Sequence, residues 1–498
     1  MNVNPITRLD YPDLDVIRVE DTYYMVSTTM HFMPGCEILQ SFDLVHWEHV
    51  TYVYETLDHT DAQQLKSGQN IYGQGMWAAS LRYHEGRFYI CFVANDTRKT
   101  YLYTSEKIDG PWKKQLIEGF YHDGSLLFDE DGRNYIVYGN DEIWITELNE
   151  DLTAPKKDGL HRLLVSDHKN PELGYEGSHI QKINGYYYIF LVHSLRDRWM
   201  RTEACFYSDS LEGEFTGGDV LCDDRGYCGQ GVAQGGIVDT PDGKWYAMLF
   251  QDSGAVGRIP ILLPVTWKDH FPIFGQNGHV PEEIEVHSTR PGYIYQPLVG
   301  SDDFCNGLLP RWQFNHDPDP RYYHLDALQG TYTITTREVC TELTQAVNTL
   351  TQRMSYPSCA AEVTVDASAL KEGDVAGLCA LQGCYAAVGI TKHHGKYEVL
   401  MLDKKEDGIL DMTEGTVVES HQMDFRLEAD FCNMKDEARC YYRVNKGDWL
   451  PIGNVHKLYF KLDHFTGCRF GLFCYAAEET GGSACFRDFK YYDVDEIS

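Results

Sequence analysis

In the first half of the chain, runs of alternating polar and apolar residues come in pairs that a tight turn separates. The clearest pair consists of Glu176–Ile183 and Tyr186–Leu191, with Asn184-Gly185 between them. Asn-Gly between two such runs is the strongest short-range signal of a β-hairpin. The pattern therefore predicts two antiparallel strands, with Glu176 at the start of the first.

The same hairpin pattern occurs at four other places in this half of the chain. Their turns fall at Glu20-Asp21, Glu85-Gly86, Asp131-Gly132 and Asp242-Gly243. Consecutive turns are roughly 46 to 64 residues apart, a spacing typical of the blades of a β-propeller. Helical periodicity is scarce in this half, which favours an all-β fold. Five copies of one hairpin predict a five-bladed β-propeller.

A different pattern begins near Tyr293, where the regular turns stop. The remaining residues alternate short strand-like runs with turns, for example Ala360–Val365 and Tyr397–Leu402. This patterning is typical of a β-sandwich, and a chain of 498 residues is long enough for two cores. We therefore predict an all-β chain, with the five-bladed propeller over residues 1–298 and a β-sandwich over residues 299–498.

The hairpin register brings chemistry-bearing residues to one place. Nine residues before the four turn glycines stand Trp77, Asp123, Glu176 and Gln234, and the matching position of the first hairpin is Asp13. The innermost strands of a propeller all begin at one mouth of its central channel. A single Asp at a strand start is more often a turn cap than a functional residue. Three mutually repelling carboxylates at one mouth cost stability, so this register predicts a functional site.

Two further residues are candidates for contact with a substrate. Arg258 follows the fifth hairpin in a turn-rich segment, where its guanidinium could donate to hydroxyl groups or a carboxylate, or form a salt bridge at the rim. Phe32 follows the first hairpin and belongs either to a pocket rim or to an ordinary connection within the blade.

Composition narrows the class of partner. The formal net charge of -32 argues against nucleic acid and anionic membranes and fits a small neutral or cationic substrate. No apolar segment reaches membrane-spanning length, and the residues at Met1–Ile6 do not have the pattern of a signal peptide. The 15 cysteines are scattered through strand-like runs, which predicts reduced core thiols. Together these features predict a cytoplasmic protein.

Three segments carry a resemblance to a known family. They are Tyr11-Pro12-Asp13, Tyr121-His122-Asp123-Gly124-Ser125 and Tyr175-Glu176-Gly177-Ser178-His179. In this order and register they resemble the motifs of glycoside hydrolase family 43, which contains β-xylosidases and α-L-arabinofuranosidases. The resemblance implies that Asp13 is the general base, that Glu176 is the general acid and that Asp123 is a pKa modulator that also orients the acid. It further implies that Phe32, Trp77 and Arg258 shape the sugar pocket, and we expect Gln234 to bind substrate there.

The same resemblance implies a function. It points to an inverting exo-glycosidase that releases xylose from the non-reducing ends of xylo-oligosaccharides, with a concanavalin-like sandwich as accessory domain. An α-L-arabinofuranosidase, a bifunctional enzyme, a retaining fructosidase and a non-catalytic sugar-binding propeller stay open as alternatives, as does homo-oligomerisation. No cofactor is expected to be required. Some members of the family bind a calcium ion in the channel through a histidine, but this chain has Ala233 at that position, so a structural calcium stays an open alternative.

Overall fold

The computed structural model describes residues 3–493, and within this range the regular structure is almost entirely β. Five antiparallel sheets of four strands each account for the first 274 residues. Each sheet contains one of the five predicted hairpins as its first two strands. The prediction of a five-bladed β-propeller followed by a β-sandwich is confirmed.

The strands of the propeller half follow one another blade by blade. The first blade region contains β1 (Asp15–Val19), β2 (Thr22–Val26), β3 (Phe32–Met33), β4 (Gly35–Ser41) and β5 (Glu48–Tyr54). The second contains β6 (Met76–His84), β7 (Arg87–Ala94), β8 (Lys99–Ser105) and β9 (Lys113–Ile117). The third contains β10 (Ser125–Phe128), β11 (Asn134–Asn140), β12 (Glu142–Leu148) and β13 (His161–Ser166). The fourth contains β14 (Glu176–Ile183), β15 (Tyr186–Ser194), β16 (Arg201–Ser208) and β17 (Thr216–Leu221). The fifth contains β18 (Gly236–Asp239), β19 (Trp245–Asp252), β20 (Arg258–Lys268) and β21 (Phe271–Phe274).

Apolar residues between neighbouring blades hold the propeller together. Each neighbouring pair of blades shares a hydrophobic cluster, and the cluster between the first and fifth blades closes the ring. The segment before β1 reinforces this closure because it runs along β20, with Tyr11 N donating to Arg258 O at 3.0 Å and Ile6 N donating to Pro260 O at 2.9 Å. Burial of such apolar surface is the main stabilising contribution to a fold of this kind.

The C-terminal half forms two larger sheets that face each other across one core. Its strands in chain order are β22 (Gln313–Asn315), β23 (Tyr323–Asp326), β24 (Thr331–Thr335), β25 (Leu350–Arg353), β26 (Ser358–Asp366), β27 (Val375–Leu381), β28 (Ala386–His393), β29 (Lys396–Lys404), β30 (Leu410–Met412), β31 (Thr416–Val418), β32 (Gln422–Asp430), β33 (Glu437–Arg443), β34 (Leu450–Lys457), β35 (Arg469–Tyr475) and β36 (Ser483–Asp493). One sheet has the order β3-β22-β25-β35-β27-β28-β29-β30, with β31 also on β29, and the other β23-β24-β36-β26-β32-β33-β34. Short 3-10 helices occur at Lys66–Gly68, Gly254–Val256, Leu343–Gln345 and Cys432–Met434.

The two halves are joined by backbone and by buried charge. Strand β3 leaves the first blade and pairs with β22 at the edge of a sandwich sheet. Arg353 of β25 donates to Glu37 of β4 at 2.8 Å, and both side chains are buried. Among residues 3–493, no helix is long and apolar enough to cross a membrane. The propeller sheets end at Phe274 and β22 begins at Gln313, so the boundary at 298/299 stays a prediction.

Candidate active site

The five positions that the hairpin register aligns meet at one mouth of the channel. Asp13, Trp77, Asp123, Glu176 and Gln234 all line a single cavity of about 540 Å³. Each of them stands at or next to the start of the innermost strand of its blade. The convergence follows from the fold, because the five innermost strands point the same way around the channel.

Several of these positions have an unusual backbone. Asp13, Asp123 and Gln234 adopt left-handed conformations with φ of 50°, 48° and 77°. Residues with side chains adopt this region at a cost, and such strained residues cluster at functional sites. Glu176 is followed by Gly177 with φ of 67°, where an added Cβ would lie 2.5 Å from Gln234 Cδ. A glycine is therefore required for the close approach of the fourth and fifth blades.

Asp13 is held by two donors. Its side chain accepts a hydrogen bond from Arg258 Nη1 at 2.8 Å on one oxygen and from Thr28 Oγ1 at 2.7 Å on the other. The residue is only 8% exposed. A charge-assisted bond to an arginine and a second donor fix the orientation of the carboxylate in the cavity wall.

Two of the nitrogen atoms of the Arg258 guanidinium have no hydrogen-bond partner among the described residues. The side chain is 2% exposed, and the two atoms are Nε and Nη2. The guanidinium carbon lies 4.4 Å from the ring centre of Phe465. Buried donors without partners are costly, and the side chain that carries these two donors lines the cavity.

Asp123 lies between the general-acid candidate and the protein interior. Its Oδ2 accepts a hydrogen bond from Gly177 N at 2.9 Å, which links it to the backbone directly after Glu176. Burial is the main cause that raises the pKa of Asp123 to about 6; the charge of His122 lowers it, and the neighbouring carboxylates of Glu176 and Asp13 raise it. The raised pKa of Asp123 therefore comes first from loss of solvation and only then from repulsion by the other two carboxyl groups at the mouth.

Glu176 is the most accessible of the three carboxyl groups, with a side chain 19% exposed. Its Oε2 accepts a hydrogen bond from Asn140 Nδ2 at 2.8 Å and lies 3.5 Å from His122 Nε2. This accessibility suits a group that exchanges protons with a ligand, whereas Asp123 is only 7% exposed.

His122 also lines the cavity, and the sequence pattern did not assign it a role. Its Nε2 lies 3.5 Å from both Asp123 Oδ2 and Glu176 Oε2. Burial alone would lower the pKa of His122, but the carboxylates of Asp123 and Glu176 raise it to about 9. The imidazolium is therefore charged at neutral pH and offsets part of the repulsion between the two carboxyl groups.

Gln234 and Trp77 complete the propeller side of the cavity. Gln234 is 3% exposed, and its backbone N–H donates to Glu203 Oε2 at 3.4 Å. Burial raises the pKa of Glu203 well above its usual value, so this glutamic acid beneath Gln234 is neutral. The indole Nε1 of Trp77 is buried and has no hydrogen-bond partner among the described residues.

The sandwich supplies the remaining wall. The cavity-lining residues that come from this domain are Met434, Phe460, Lys461, Leu462 and Phe465. The Phe465 ring centre lies 5.4 Å from that of Trp77, in contact across the cavity. The sequence did not predict which sandwich residues reach the cavity, because no local pattern marks a contact between segments almost 400 residues apart.

Phe32 does not lie at the cavity. It is fully buried in β3, next to the sandwich strand β22. The guanidinium carbon of Arg469 lies 3.5 Å from its ring centre, and His31 packs against it at 4.3 Å. The expectation of a pocket role for Phe32 is therefore not met, because its side chain is part of the junction between the two domains.

Two places bear on metal binding. His122, Asp123 and Glu176 offer atoms within 4.8 Å of one another, and Asp13 is not part of that group. A cation would need His122 to lose its proton, against the raised pKa of about 9. The channel position of Ala233 offers only a buried methyl group, so a calcium ion held by a histidine at this position does not fit the chain.

Comparisons with known proteins identify both domains of the chain. Residues 3–272 match the model of the family glycosyl hydrolases family 43, and residues 301–492 match the β-xylosidase C-terminal concanavalin A-like domain. A β-xylosidase of Formosa agariphila is 27% identical over 99% of this chain and 89% of its own length.

Solved structures show the same relationship. A structure from Bacteroides eggerthii, described as bifunctional GH43-CE, is 42% identical with a TM-score of 0.92 over 99% of this chain. The present chain covers 64% of that protein. A GH43 glycoside hydrolase, engineered to display both endo-xylanase and exo-arabinofuranosidase activity, is 28% identical with a TM-score of 0.85 over 99% of each chain.

Proposed function

The chain belongs to glycosyl hydrolases family 43, and from this membership we propose that it is an inverting exo-β-xylosidase. It releases xylose from the non-reducing ends of xylo-oligosaccharides. The observation that carries the proposal is the single cavity in which Asp13, Asp123 and Glu176 meet under a wall contributed by the sandwich.

The carboxyl groups of Asp13 and Glu176 have separate roles in this reaction. Asp13, oriented by Arg258 and Thr28, takes a proton from a water molecule as the water oxygen bonds to the anomeric carbon. Glu176 gives its proton to the glycosidic oxygen as the bond from that oxygen to the anomeric carbon breaks. The products are xylose of inverted anomeric configuration and a shortened oligosaccharide. Such a mechanism needs room for the water between base and acid.

Asp123 and His122 set the charge around the acid. Asp123 binds the backbone N–H of Gly177 and so fixes where the Glu176 side chain starts. The negative charge of Asp123 favours the protonated form of the acid before the reaction, and His122 limits that repulsion. Arg258 binds sugar hydroxyl groups through Nε and Nη2, which have no partner among the described residues.

Exo action rests on the sandwich wall. Phe465 and Phe460 cover the side of the cavity opposite the propeller carboxylates, and Phe465 packs on both Trp77 and Arg258. A cavity covered on one side accepts a chain end more readily than the middle of a polymer. Short oligosaccharides are therefore the substrates that this shape favours.

An α-L-arabinofuranosidase, or an enzyme with both activities, is the second candidate. Xylopyranose and arabinofuranose present similar hydroxyl groups to a pocket of this kind. Solved structures similar to this chain include one engineered to display an exo-arabinofuranosidase activity, which favours keeping this candidate beside the first.

Initial rates decide between the candidates. We would measure turnover of 4-nitrophenyl β-D-xylopyranoside and 4-nitrophenyl α-L-arabinofuranoside by the wild type, by Glu176→Ala and by Glu130→Gln, whose carboxylate is exposed at the other end of the channel. Turnover that Glu176→Ala loses and Glu130→Gln keeps supports the proposal, and the ratio of the two rates assigns the sugar.

The stereochemistry of the product tests the mechanism. Proton NMR of fresh xylose from a β-xyloside should show the α anomer first. Appearance of the β anomer first would contradict inversion, and absence of turnover on both substrates would favour a non-catalytic sugar-binding propeller.

A further inference from the structure

One layer below the catalytic mouth, side chains of the innermost strands bind the backbone of the next blade. Asp15 Oδ2 accepts from Leu81 N at 2.7 Å, which links the first blade to the second. Ser80 Oγ accepts from Leu126 N at 3.1 Å, and Ser125 Oγ accepts from Ile180 N at 3.0 Å. These hydrogen bonds form a girdle of contacts from the first blade to the fourth.

His179 completes this girdle across the channel. Its Nδ1 lies 3.0 Å from Asp15 Oδ1, so the fourth blade is tied back to the first. Both side chains are buried. Each innermost strand in the girdle is thus fixed by a side chain within a few residues of the catalytic mouth.

Arg82 of the second blade crosses the girdle. Its Nη1 donates to Asp15 Oδ2 at 2.7 Å, and its Nη2 donates to Ser125 Oγ at 2.7 Å and to Ile180 O at 3.2 Å. Its Nε donates to Leu126 O at 2.8 Å. One guanidinium therefore contacts the first, third and fourth blades, and its side chain is only 13% exposed.

The partners of Arg82 stand directly after the catalytic residues. Asp15 comes two residues after Asp13, and Ser125 comes two residues after Asp123. Ile180 comes four residues after Glu176 in β14. The position of one side chain therefore bears on where all three carboxyl groups begin.

We propose that Arg82 is the positioning residue of this active site, a built-in cation that fixes the spacing of the base, the acid and Asp123 and makes a channel metal ion unnecessary. The inference rests on the proposed function, because it assigns Arg82 a role in that reaction. Arg82 acts through Asp15, Ser125 and the backbone at Ile180, not on the substrate.

The polar atoms of this layer leave little for a metal ion to bind. Both oxygens of Asp15 already have donors, and the hydroxyl oxygen of Ser125 lies between Arg82 Nη2 and Ile180 N. A divalent cation would also be repelled by a guanidinium at short range. The guanidinium of Arg82 has five N–H donors in a fixed planar arrangement, which suits a site with several acceptors on different strands better than the point charge of a metal ion does.

Asp15 keeps its negative charge beside Arg82 at neutral pH. Burial alone would raise the pKa of Asp15, but Arg82 and His179 lower it to about 2. Loss of the guanidinium leaves the buried Asp15 carboxylate with only the ring of His179 and the backbone N–H of Leu81 as partners. Such a carboxylate is costly, and the strands around it are expected to shift.

The test compares Arg82→Ala with Arg18→Ala. Arg18 also joins two blades through an aspartate, Asp239, and lines the same cavity at the other end of the channel as Arg82. The hydrogen bonds of its side chain go to Asp239 and to Glu20 O, not to the girdle. Arg82→Ala should lower kcat on the active aryl glycoside by about 100-fold, the loss expected for a displacement of about 1 Å, with little change in KM. Arg18→Ala should keep both values near those of the wild type.

Chemical rescue separates positioning from general damage. Millimolar guanidinium or methylguanidinium should fill the space in Arg82→Ala and restore kcat at least in part, whereas ammonium should not. The same additives should raise the thermal midpoint of Arg82→Ala but not of Arg18→Ala. An unchanged kcat in a folded Arg82→Ala, or rescue by ammonium as good as by guanidinium, would overturn the proposal.

Two further measurements cover the remaining outcomes. Arg82→Lys keeps the charge, so if Arg82→Ala does not fold, wild-type kcat in Arg82→Lys would still rule out a role for the guanidinium fork. Wild-type protein treated with EDTA should show the same rate and thermal midpoint with and without added Ca²⁺ or Mg²⁺, and a marked gain with either ion would contradict the metal part. A wild type inactive on both glycosides would overturn the proposed function and with it the role of Arg82, whereas an active wild type with an unchanged kcat in Arg82→Ala would overturn the role of Arg82 alone.

Discussion

Two of the places where the molecule buries titratable side chains hold them in opposite ways. At the catalytic mouth, Asp13 accepts a hydrogen bond from Arg258, and Asp123 lies beside His122. At the junction between propeller and sandwich, the rings of His31, His316 and His464 form a histidine cluster, and within residues 3–493 these rings form no ion pair with a carboxylate. The contrast separates buried polarity that serves chemistry from buried polarity that serves packing.

The histidine cluster is tightly packed around one tyrosine. The ring of His31 lies 4.8 Å from that of His316 and 4.9 Å from that of His464. The ring of Tyr72 lies within 4.8 Å of all three, and stacks on His464 at 4.6 Å. Burial lowers the pKa of each histidine, and that of His464 falls to about 3. The cluster is therefore neutral at physiological pH.

The difference lies in where unsatisfied polar atoms point. At the mouth, Nε and Nη2 of Arg258 and Nε1 of Trp77 have no partner among the described residues and belong to cavity-lining side chains. At the junction, Nδ1 of His316 and Nε2 of His464 also have none, but their rings face other rings. Unpaired polar atoms indicate a ligand site only where a cavity adjoins them.

The largest effect is expected from the mouth. Asp13→Asn removes the base while keeping the size of the side chain, so kcat should fall by about 1,000-fold or more. Azide replaces water as the nucleophile and needs no base, so it should restore turnover of an activated β-xyloside in Asp13→Ala, with xylosyl azide of inverted configuration as the product. Glu176→Ala should retain activity on a 2,4-dinitrophenyl xyloside, whose leaving group needs no acid. Equal losses on good and poor leaving groups in Glu176→Ala would remove the acid assignment.

Asp123→Asn should have the next largest effect, a loss of about 10- to 100-fold in kcat. The basic limb of the pH profile should move to lower pH, because the repulsion that favours the protonated acid is gone. The matched control is Asp131→Asn, an exposed carboxylate in the turn of the same blade. If the basic limb of the pH profile does not move in Asp123→Asn, Asp123 has no effect on the pKa of the acid, and only its structural hydrogen bond to Gly177 N is left as its role.

The same substitution should act on stability with a definite sign. The pKa of Asp123 is raised to about 6 in the folded protein from an ordinary value of 3.8, so its ionisation costs stability as pH rises through 6. Asp123→Asn has no carboxyl group at this position, so the variant does not lose this stability. Its free energy of unfolding relative to the wild type should therefore rise between pH 4 and pH 7, which urea titrations at the two values would measure.

The residues that sequence could place are those with local periodicity. Counting from the turns put Asp13, Trp77, Asp123, Glu176 and Gln234 at one mouth, because strand direction and register in a propeller follow from the hairpins. Arg258 was also placed at the site, by its position after the last hairpin and by resemblance.

The residues that sequence could not place depend on pairing between distant segments. Phe32 faces the junction because β3 pairs with β22, nearly 280 residues later. Phe465 reaches the cavity because the sandwich docks on the propeller, where Cys468 N donates to Ala255 O at 2.8 Å. Neither contact has a local signal. His122 belongs to the site because its ring lies between the carboxylates of Asp123 and Glu176, which are more than 50 residues apart in the chain.

Acid should loosen the junction before it affects other parts of the fold. The folded pKa of each clustered histidine lies below the unfolded value, so the unfolded chain binds more protons once pH falls below about 6.5. Stability should then fall by roughly 1.4 kcal/mol per pH unit for each histidine. Unfolding free energies at pH 7.5 and pH 5.5 should show a shallower slope for His31→Phe than for the wild type, whereas His324→Phe, at an exposed position, should keep the wild-type slope.

The smallest effect concerns the cavity rim, where the mouth meets solvent. Trp199 lines the cavity and is 44% exposed, with the Arg201 guanidinium 5.3 Å from its ring centre. An exposed aromatic face beside a sugar site offers a stacking surface for the leaving sugar. Trp199→Ala should raise KM for xylotriose by about 3- to 10-fold and leave KM for β-xylosyl fluoride unchanged, because the fluoride has no sugar to stack. Trp449→Ala, which removes a similar Trp–Arg contact in the sandwich, should change neither value. An equal rise in both KM values for Trp199→Ala would place its effect on the xylose that is released, not on the leaving sugar.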